Sequence, residues 1–394
     1  MTPKSSRKIA QTTPYERQYG SPITPEQLAE YTILSQIGEG SFATIYQAEN
    51  LKLPEDAPTR CLAIKRFKPE HTDIGENEAR IMVDLFPHNE SGFCINFFSG
   101  FLTKHSDGTD DCYLILLELL NWSRPLTLTP IPAYISPQMG VLGYQPSPYY
   151  VLAKLSLQLL NGLVEIHERN YTHCDIKPEN IIYVEDNVHS SRIKIIDFGN
   201  SSRTSDLRDY SDDFQLQPIG YRAPEVIIGD PTMNEKIDVW GVGVVLLELL
   251  VNNMYKSLKN EWRLILSEGL QQGVMSITKS IESFDVYRNK RTLFWTPELE
   301  SDELIRTGAI PAESVTIQNL AAVMVTKENR ESTLALDFLL CLLRVDHRLR
   351  WSAAEALRHP FLVETLQGAW ANILFPDRTK LPSGTSQLEE FGLL

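Results

Sequence analysis

The chain has 394 residues, 42% hydrophobic and 22% charged, enough for two lobes with separate cores or one large domain with tails. Its formal net charge of −14 excludes a general nucleic-acid binder, which would be basic, and suits a basic peptide partner. Five scattered cysteines without a C-x-x-C pair argue against a disulfide framework or a zinc site and for a reducing, intracellular setting in cytoplasm or nucleus.

The opening residues MTPKSSRKIAQTTPYERQYG have no apolar core, which excludes a signal peptide. Residues 1–30, rich in Thr, Ser, Pro and charge, are expected to lack fixed structure, apart from one helical turn starting at Pro25-Glu26-Gln27-Leu28. From Tyr31 the pattern becomes strand-like. Residues 31–37 run into Gly38-Glu39-Gly40-Ser41-Phe42-Ala43, and alternation resumes over 44–48, so the stretch reads as a hairpin with a glycine turn. Cys61-Leu62-Ala63-Ile64-Lys65-Arg66-Phe67 is a third strand. A helix capped by Thr72 or Asp73 follows to about Leu85, with Ala79, Met82, Val83 and Phe86 inward.

Strands are expected over 93–102 and 113–117, then a loop-rich insertion over 121–148. Leu152, Leu155, Leu159, Leu163 and Ile166 mark a helix over 151–169. Further helices are expected over 239–251, 334–344 and 353–359. The run 239–251 is too short for the roughly 20 residues that span a bilayer, so no membrane is involved. Residues 259–331 are polar and without clear period, and the tail after Leu366 carries only aromatic spots such as Trp370 and Phe375.

Chemistry gathers in His173-Cys174-Asp175-Ile176-Lys177-Pro178-Glu179-Asn180 and in Asp197-Phe198-Gly199. Asp175 can accept or orient a hydroxyl proton. Lys177 can neutralise charge on a transferred phosphoryl group. Asn180 and Asp197 are oxygen ligands of the kind Mg²⁺ takes alongside ATP phosphates. Gly38 and Gly40 let backbone N–H groups approach phosphate, and the strand that follows them excludes a dinucleotide-binding βαβ unit. Lys65, mid-strand among apolar residues, calls for a buried carboxylate. Glu78 and Glu76 are both candidates, and Glu78 suits the helical frame better.

These motifs, in this order, resemble the eukaryotic protein kinases over about Tyr31–Val363. The resemblance implies an α+β, bilobal fold: a small antiparallel β-sheet lobe with one helix at 31–118, and a larger, mainly helical lobe at 121–363, with 364–394 as a tail. It implies ATP and Mg²⁺ as cofactors, a protein substrate, a monomer, and transfer of phosphate to Ser or Thr, which Lys177 favours. Asp175, Lys177, Lys65 and Glu78 are then catalytic. ATP binding falls to Ile37, Gly38, Glu39, Gly40, Ser41, Phe42, Ala43, Thr44, Ile45, Ala63, Lys65, Leu117, Glu118, Leu120 and Asn180. Asn180 and Asp197 hold the metal. By the same likeness Leu117 is the gatekeeper and Glu118–Leu120 the hinge for adenine. Ala223-Pro224-Glu225 closes the activation segment, Arg350 pairs with Glu225, and Asp238 supports the catalytic loop from beneath.

Tyr221-Arg222-Ala223-Pro224-Glu225 and the long region 259–331 are similar to the CMGC group, and HCDIKPENI and GEGSFATIY lean to its SR-protein kinase, CLK and DYRK branches. Cys174 replaces the Arg that in many kinases grips a phosphorylated loop, so switching in that manner is not expected. Gln215 stands where DYRK-like kinases have a loop tyrosine, and Tyr210 is out of register with it. The connection from Lys65 to Glu78 is short for the family, implying either a helix trimmed at its start or a different glutamate. The rival readings are a pseudokinase scaffold, which would lack one of the Lys, Asp or metal-site residues, and a small-molecule kinase, which would lack the pair Glu225–Arg350.

Overall fold

The computed structural model describes residues 23–86, 91–103, 111–120, 123–126, 147–185, 191–210, 216–218, 221–227, 229–257, 330–344 and 346–366. The expectations for residues 1–22, for most of the insertion and of the region 259–331, for Gln215 and for the tail lie outside them. The described residues divide into two compact units, one running to Glu90 and including Asn96–Leu119, the other built from Ser91–Ile95 and the chain from Leu120 onward.

In the first unit, β1 (Thr32–Glu39), β2 (Ala43–Glu49), β3 (Cys61–Phe67), β4 (Phe97–Thr103) and β5 (Cys112–Glu118) form one antiparallel sheet in the order β1-β2-β3-β5-β4. Alternation of β-branched and aromatic residues drives these strands, and Ala48, Leu62, Ile64, Leu114 and Leu116 are buried on a common core. Ile23 joins the same core, with Leu28 and Tyr31 packed against it. The turn expected at Pro25–Leu28 is thus present, and it is packed against the sheet core ahead of Tyr31. Helix α1 (Pro25–Leu28) is fixed by a capping box between Thr24 and Gln27. A helix this short is not stable alone; burial of Ile23 and Leu28 supplies what the turn lacks.

A 3₁₀ turn at Pro69–His71 leads into α2 (Thr72–Leu85). Neither Thr72 nor Asp73 caps it. Thr72 is already helical, and the N-cap position, His71, makes no side-chain cap, because the tight turn at Pro69 delivers the chain directly into the helix. Gly75, Glu78, Ala79, Ile81, Met82 and Leu85 are buried, whereas Val83 is only half-buried. A Cβ on Gly75 would lie 2.6 Å from Phe67 Cδ2 and 2.9 Å from its Cγ, and Phe67 is 1% exposed. Gly75→Ala gains about 1 kcal/mol of helix propensity but overpacks the contact by about 1–3 kcal/mol. The expected net result is a lower urea midpoint for the full chain. An equal or higher midpoint would show that Phe67 moves aside freely.

The run expected as one strand over 93–102 is split. β4 starts at Phe97, and Phe93 and Ile95 hydrogen-bond instead to Ile195 within the second unit (2.7 and 3.0 Å). In that unit α3 (Pro148–His167) begins three residues before Val151, because Ser147 accepts from Tyr150 N and Pro148 occupies the first turn. Its Leu152, Leu155, Leu159, Leu163 and Ile166 are buried, and it packs along α5, where α4 is Pro224–Ile227 and α5 is Lys236–Ser257. Apolar periodicity marks only the middle of α5. Helix α6 spans Arg330–Leu342 and α7 spans Ala353–Ala356, capped by Ser352 and Glu355. Two small sheets complete the unit: β6 (Ser123–Pro125), β8 (Ile181–Glu185) and β9 (Ser191–Ile195) in the order β6-β8-β9, and β7 (Tyr171–Thr172) with β10 (Ser202–Arg203). Among the described residues no helix is long and apolar enough to cross a membrane.

Candidate active site

The first unit holds Lys65 and its partner. Lys65 lies on β3 opposite Ile45 of β2 and Ile115 of β5, so apolar strands flank it on both sides. Its Nζ is 2.8 and 2.7 Å from the two carboxylate oxygens of Glu78, with side chains 12% and 2% exposed. Glu78, rather than Glu76, is the carboxylate brought to Lys65. The connection between Lys65 and Glu78 runs through the 3₁₀ turn Pro69–His71 directly into α2 at Thr72.

In the glycine turn, Gly38 pairs with Ile45 and Glu39 with Thr44, and Gly40 N–H donates to Ala43 O at 2.8 Å. Ile37 and Phe42 are half-exposed large apolar side chains. The tip is fastened to the turn ahead of α2. Lys68 N–H donates to Phe42 O (3.0 Å), Lys68 Nζ donates to Ser41 O (2.8 Å), and the rings of Phe42 and His71 meet edge-on at 5.1 Å. Ala63 and Leu117 are buried and register-paired across β3 and β5. Glu118 N–H is committed to Asn96 O at 3.0 Å, and Leu120 lies just beyond β5.

The second unit holds the loop after β7. Asp238, fully buried in the first turn of α5, accepts from His173 N (2.7 Å) and Cys174 N (2.9 Å) and meets His167 Nε2 at 3.0 Å. These bonds hold Cys174 in left-handed backbone, φ 64°, a conformation that costs a non-glycine residue energy and persists only where its surroundings impose it. The Cys174 side chain points inward and is fully buried, its Sγ on Thr172 O at 3.4 Å. Burial, then the Asp238 charge, pushes the thiol well above the usual range, so it is not a nucleophile. His173 Nδ1 accepts from Asp175 N (3.2 Å), which leaves the proton on Nε2 for Ile196 O (3.1 Å). Its ring stands edge-on to Phe198.

Asp175 is 4% exposed. Its Oδ2 accepts from Lys177 Nζ (2.9 Å), Asn180 Nδ2 (2.9 Å) and Asn200 Nδ2 (3.1 Å). Asn180 Nδ2 also donates to Asp175 O at 2.9 Å, so both of its amide protons are spent on Asp175 and its Oδ1 is turned the other way. Asp197 has φ 67° and is half-buried. Asn200 is not visible as a site residue in the sequence, where an Asn after Asp-Phe-Gly carries no signal of its own.

Farther along, Arg350 Nη1 and Nη2 hold Glu225 at 2.5 and 2.9 Å with both side chains fully buried. Arg350 also donates to Lys236 O and Arg344 O and lies over the Trp240 ring. Gln217, also left-handed at φ 63°, gives its carbonyl to Arg222 Nε and Nη2 (3.1 and 2.7 Å), and its side chain bridges Ala223 N and Ile237 O. Tyr210 is exposed at the end of a 3₁₀ turn over Thr204–Tyr210.

One other gathering of metal-type side chains occurs among the described residues, Asp337, Cys341 and His359. His359 Nδ1 accepts from Phe361 N at 3.0 Å, so Nε2 keeps its proton and bonds Asp337 at 3.2 Å. Burial raises the Cys341 thiol to about 11. This is a hydrogen-bonded packing contact, not a metal centre.

A family model described as "Protein kinase domain" matches residues 31–362. The chain is 28% identical over 231 residues to cyclin-dependent kinase E-1 of Arabidopsis thaliana (57% of this chain, 45% of that protein). It is 28% identical over 225 residues to homeodomain-interacting protein kinase 1 of Caenorhabditis elegans (56% and 24%). It is 27% identical over 346 residues to serine/threonine-protein kinase SSN3 of Yarrowia lipolytica (86% and 78%). The chain thus spans less than half the length of the first two of these relatives. All are CMGC-group kinases.

Proposed function

The chain belongs to the protein kinase family, and from that premise we propose that it is a serine/threonine kinase that transfers the γ-phosphoryl group of ATP to protein hydroxyls. The observation that carries this reading is Asp175: a buried carboxylate whose Oδ2 is held by three donors while Oδ1 has no hydrogen bond among the described residues. That oxygen is left to take the proton of a substrate hydroxyl as the hydroxyl oxygen bonds phosphorus and the bond from phosphorus to ADP breaks. Lys177 Nζ, beside Asp175, offsets the charge that builds on the transferred group. Lys65, oriented by Glu78, binds nucleotide phosphate under the glycine turn. Asn180 Oδ1, freed by the commitment of Nδ2, and the Asp197 carboxylate suit a hard cation, and they would hold Mg²⁺. When bound, Mg²⁺ neutralises phosphate charge.

One feature bears on substrate. The net charge of −14 favours a basic, for example Arg/Ser-rich, peptide. The scattered free cysteines support a reducing, intracellular setting, and the acidic net charge speaks against nucleic acid. We take the working form to be a monomer.

The test is a positional peptide-library screen of the full chain with Mg·ATP, run beside a thermal-shift titration with the same nucleotide. Phosphate incorporation into Ser/Thr peptides is expected, strongest with basic residues near the acceptor. A thermal shift without incorporation would replace the enzyme with a nucleotide-binding pseudokinase scaffold. No shift and no incorporation would reject both.

A further inference from the structure

Resting on the kinase reading, we propose that Asn200 is a positioning residue for the phosphotransfer step: together with Asn180 it holds Asp175 Oδ2 when Lys177 turns to the phosphoryl group. The three donors on Oδ2 are not equivalent. Lys177 Nζ, 27% exposed at its side chain, is drawn toward the phosphoryl group as charge builds there. Asn180 lies in the turn Pro178–Asn180 and carries the oxygen suited to the metal. Asn200 has neither duty. Its amide nitrogen bonds Asp175 Oδ2 at 3.1 Å, and the residue is otherwise exposed. As Lys177 turns to the phosphate, Asn200 takes up its share beside Asn180 and keeps the carboxylate from rotating, so that Oδ1 stays presented to the hydroxyl. A misorientation of this kind is what positioned catalysis does not tolerate.

The backbone explains why an Asn at this position reaches Asp175. β10 pairs antiparallel with β7, Ser202 opposite Thr172 and Arg203 opposite Tyr171. Continuing that register back places Ser201 against His173, where Ser201 Oγ donates to His173 O at 3.2 Å, and Asn200 against the Cys174-Asp175 step. The Thr172 and Thr204 hydroxyls are bonded at 2.9 Å across the same seam. The start of the activation segment is therefore stitched to the catalytic loop, and Asn200 is the side chain that carries this docking to the reacting carboxylate.

The experiment uses the full chain with Mg·ATP and a peptide selected from the library, comparing wild type with Asn200→Ala and Asn200→Asp. Asn200→Ala should lower kcat by about 10–150-fold, the worth of one hydrogen bond to a charged group, with KM for ATP and the nucleotide thermal shift unchanged. Asn200→Asp keeps the shape but sets a carboxylate against a carboxylate, so its kcat should fall further than that of Ala. A kcat within twofold of wild type for Asn200→Ala would overturn the proposal. So would a loss carried by KM for ATP, or a loss in both variants that tracks a lowered unfolding midpoint. An inert wild type is a different failure, that of the kinase reading itself.

Discussion

Asp175→Ala is expected to lower kcat by about 10²–10⁴-fold, the range that a positioned general base contributes, while the thermal shift on adding ATP and Mg²⁺ is retained. The carboxylate is buried and meets Lys177, Asn180 and Asn200. Its removal takes away the proton acceptor and also frees Lys177 Nζ and the amides from their common anchor. Lys65, Glu78 and the glycine turn belong to the other unit, so nucleotide binding should survive, and stabilisation by mass action with it. Single-turnover phosphorylation of the screened peptide reads the chemical step without product release. Wild-type turnover in the Ala variant would remove Asp175 from the chemistry, and loss of the thermal shift would mean that the loop collapses without it.

The second large effect is on stability. Arg350→Ala and Glu225→Ala should each destabilise the second unit by about 3–5 kcal/mol, because each leaves an uncompensated charge in a fully buried place. The guanidinium also satisfies two backbone carbonyls and covers Trp240, so Arg350→Ala orphans acceptors as well as a carboxylate. Arg350→Lys should recover only part of the loss, since a lysine cannot reproduce the fork. Urea unfolding followed by probes in both units is the measurement, because a chain of two units need not unfold in one step. The double variant should cost less than the sum of the singles, as expected for groups in contact. Singles that change stability by less than about 1 kcal/mol would show that solvent reaches the site readily.

The order of the elements is legible because periodicity survives in the chain: the strand at Cys61–Phe67 and the buried stripe Leu152 to Ile166 follow directly from it. Boundaries are less so. The start of α3 is set by Ser147 and Pro148, and the far end of α5 runs past its apolar residues, so neither edge falls where hydrophobicity changes. Thr72 has the character of a cap for α2, but the turn at Pro69 takes over that role. In the candidate site, motif residues can be named at sight, since their spacing is local. Asn200, the ring bonds of His173 and the Gln217–Arg222 contact cannot. Each acquires its role through register or left-handed backbone, and no residue type announces either.

The bonds from Lys68 to Ser41 and Phe42, with the Phe42–His71 contact, have a mechanical consequence. The glycine turn and the near end of the helix bearing Glu78 therefore share one anchorage rather than standing as two independent parts. On the kinase reading, a substitution that breaks this anchorage, such as Lys68→Ala, is expected to loosen both the glycine turn and the start of the helix that holds Glu78 against Lys65.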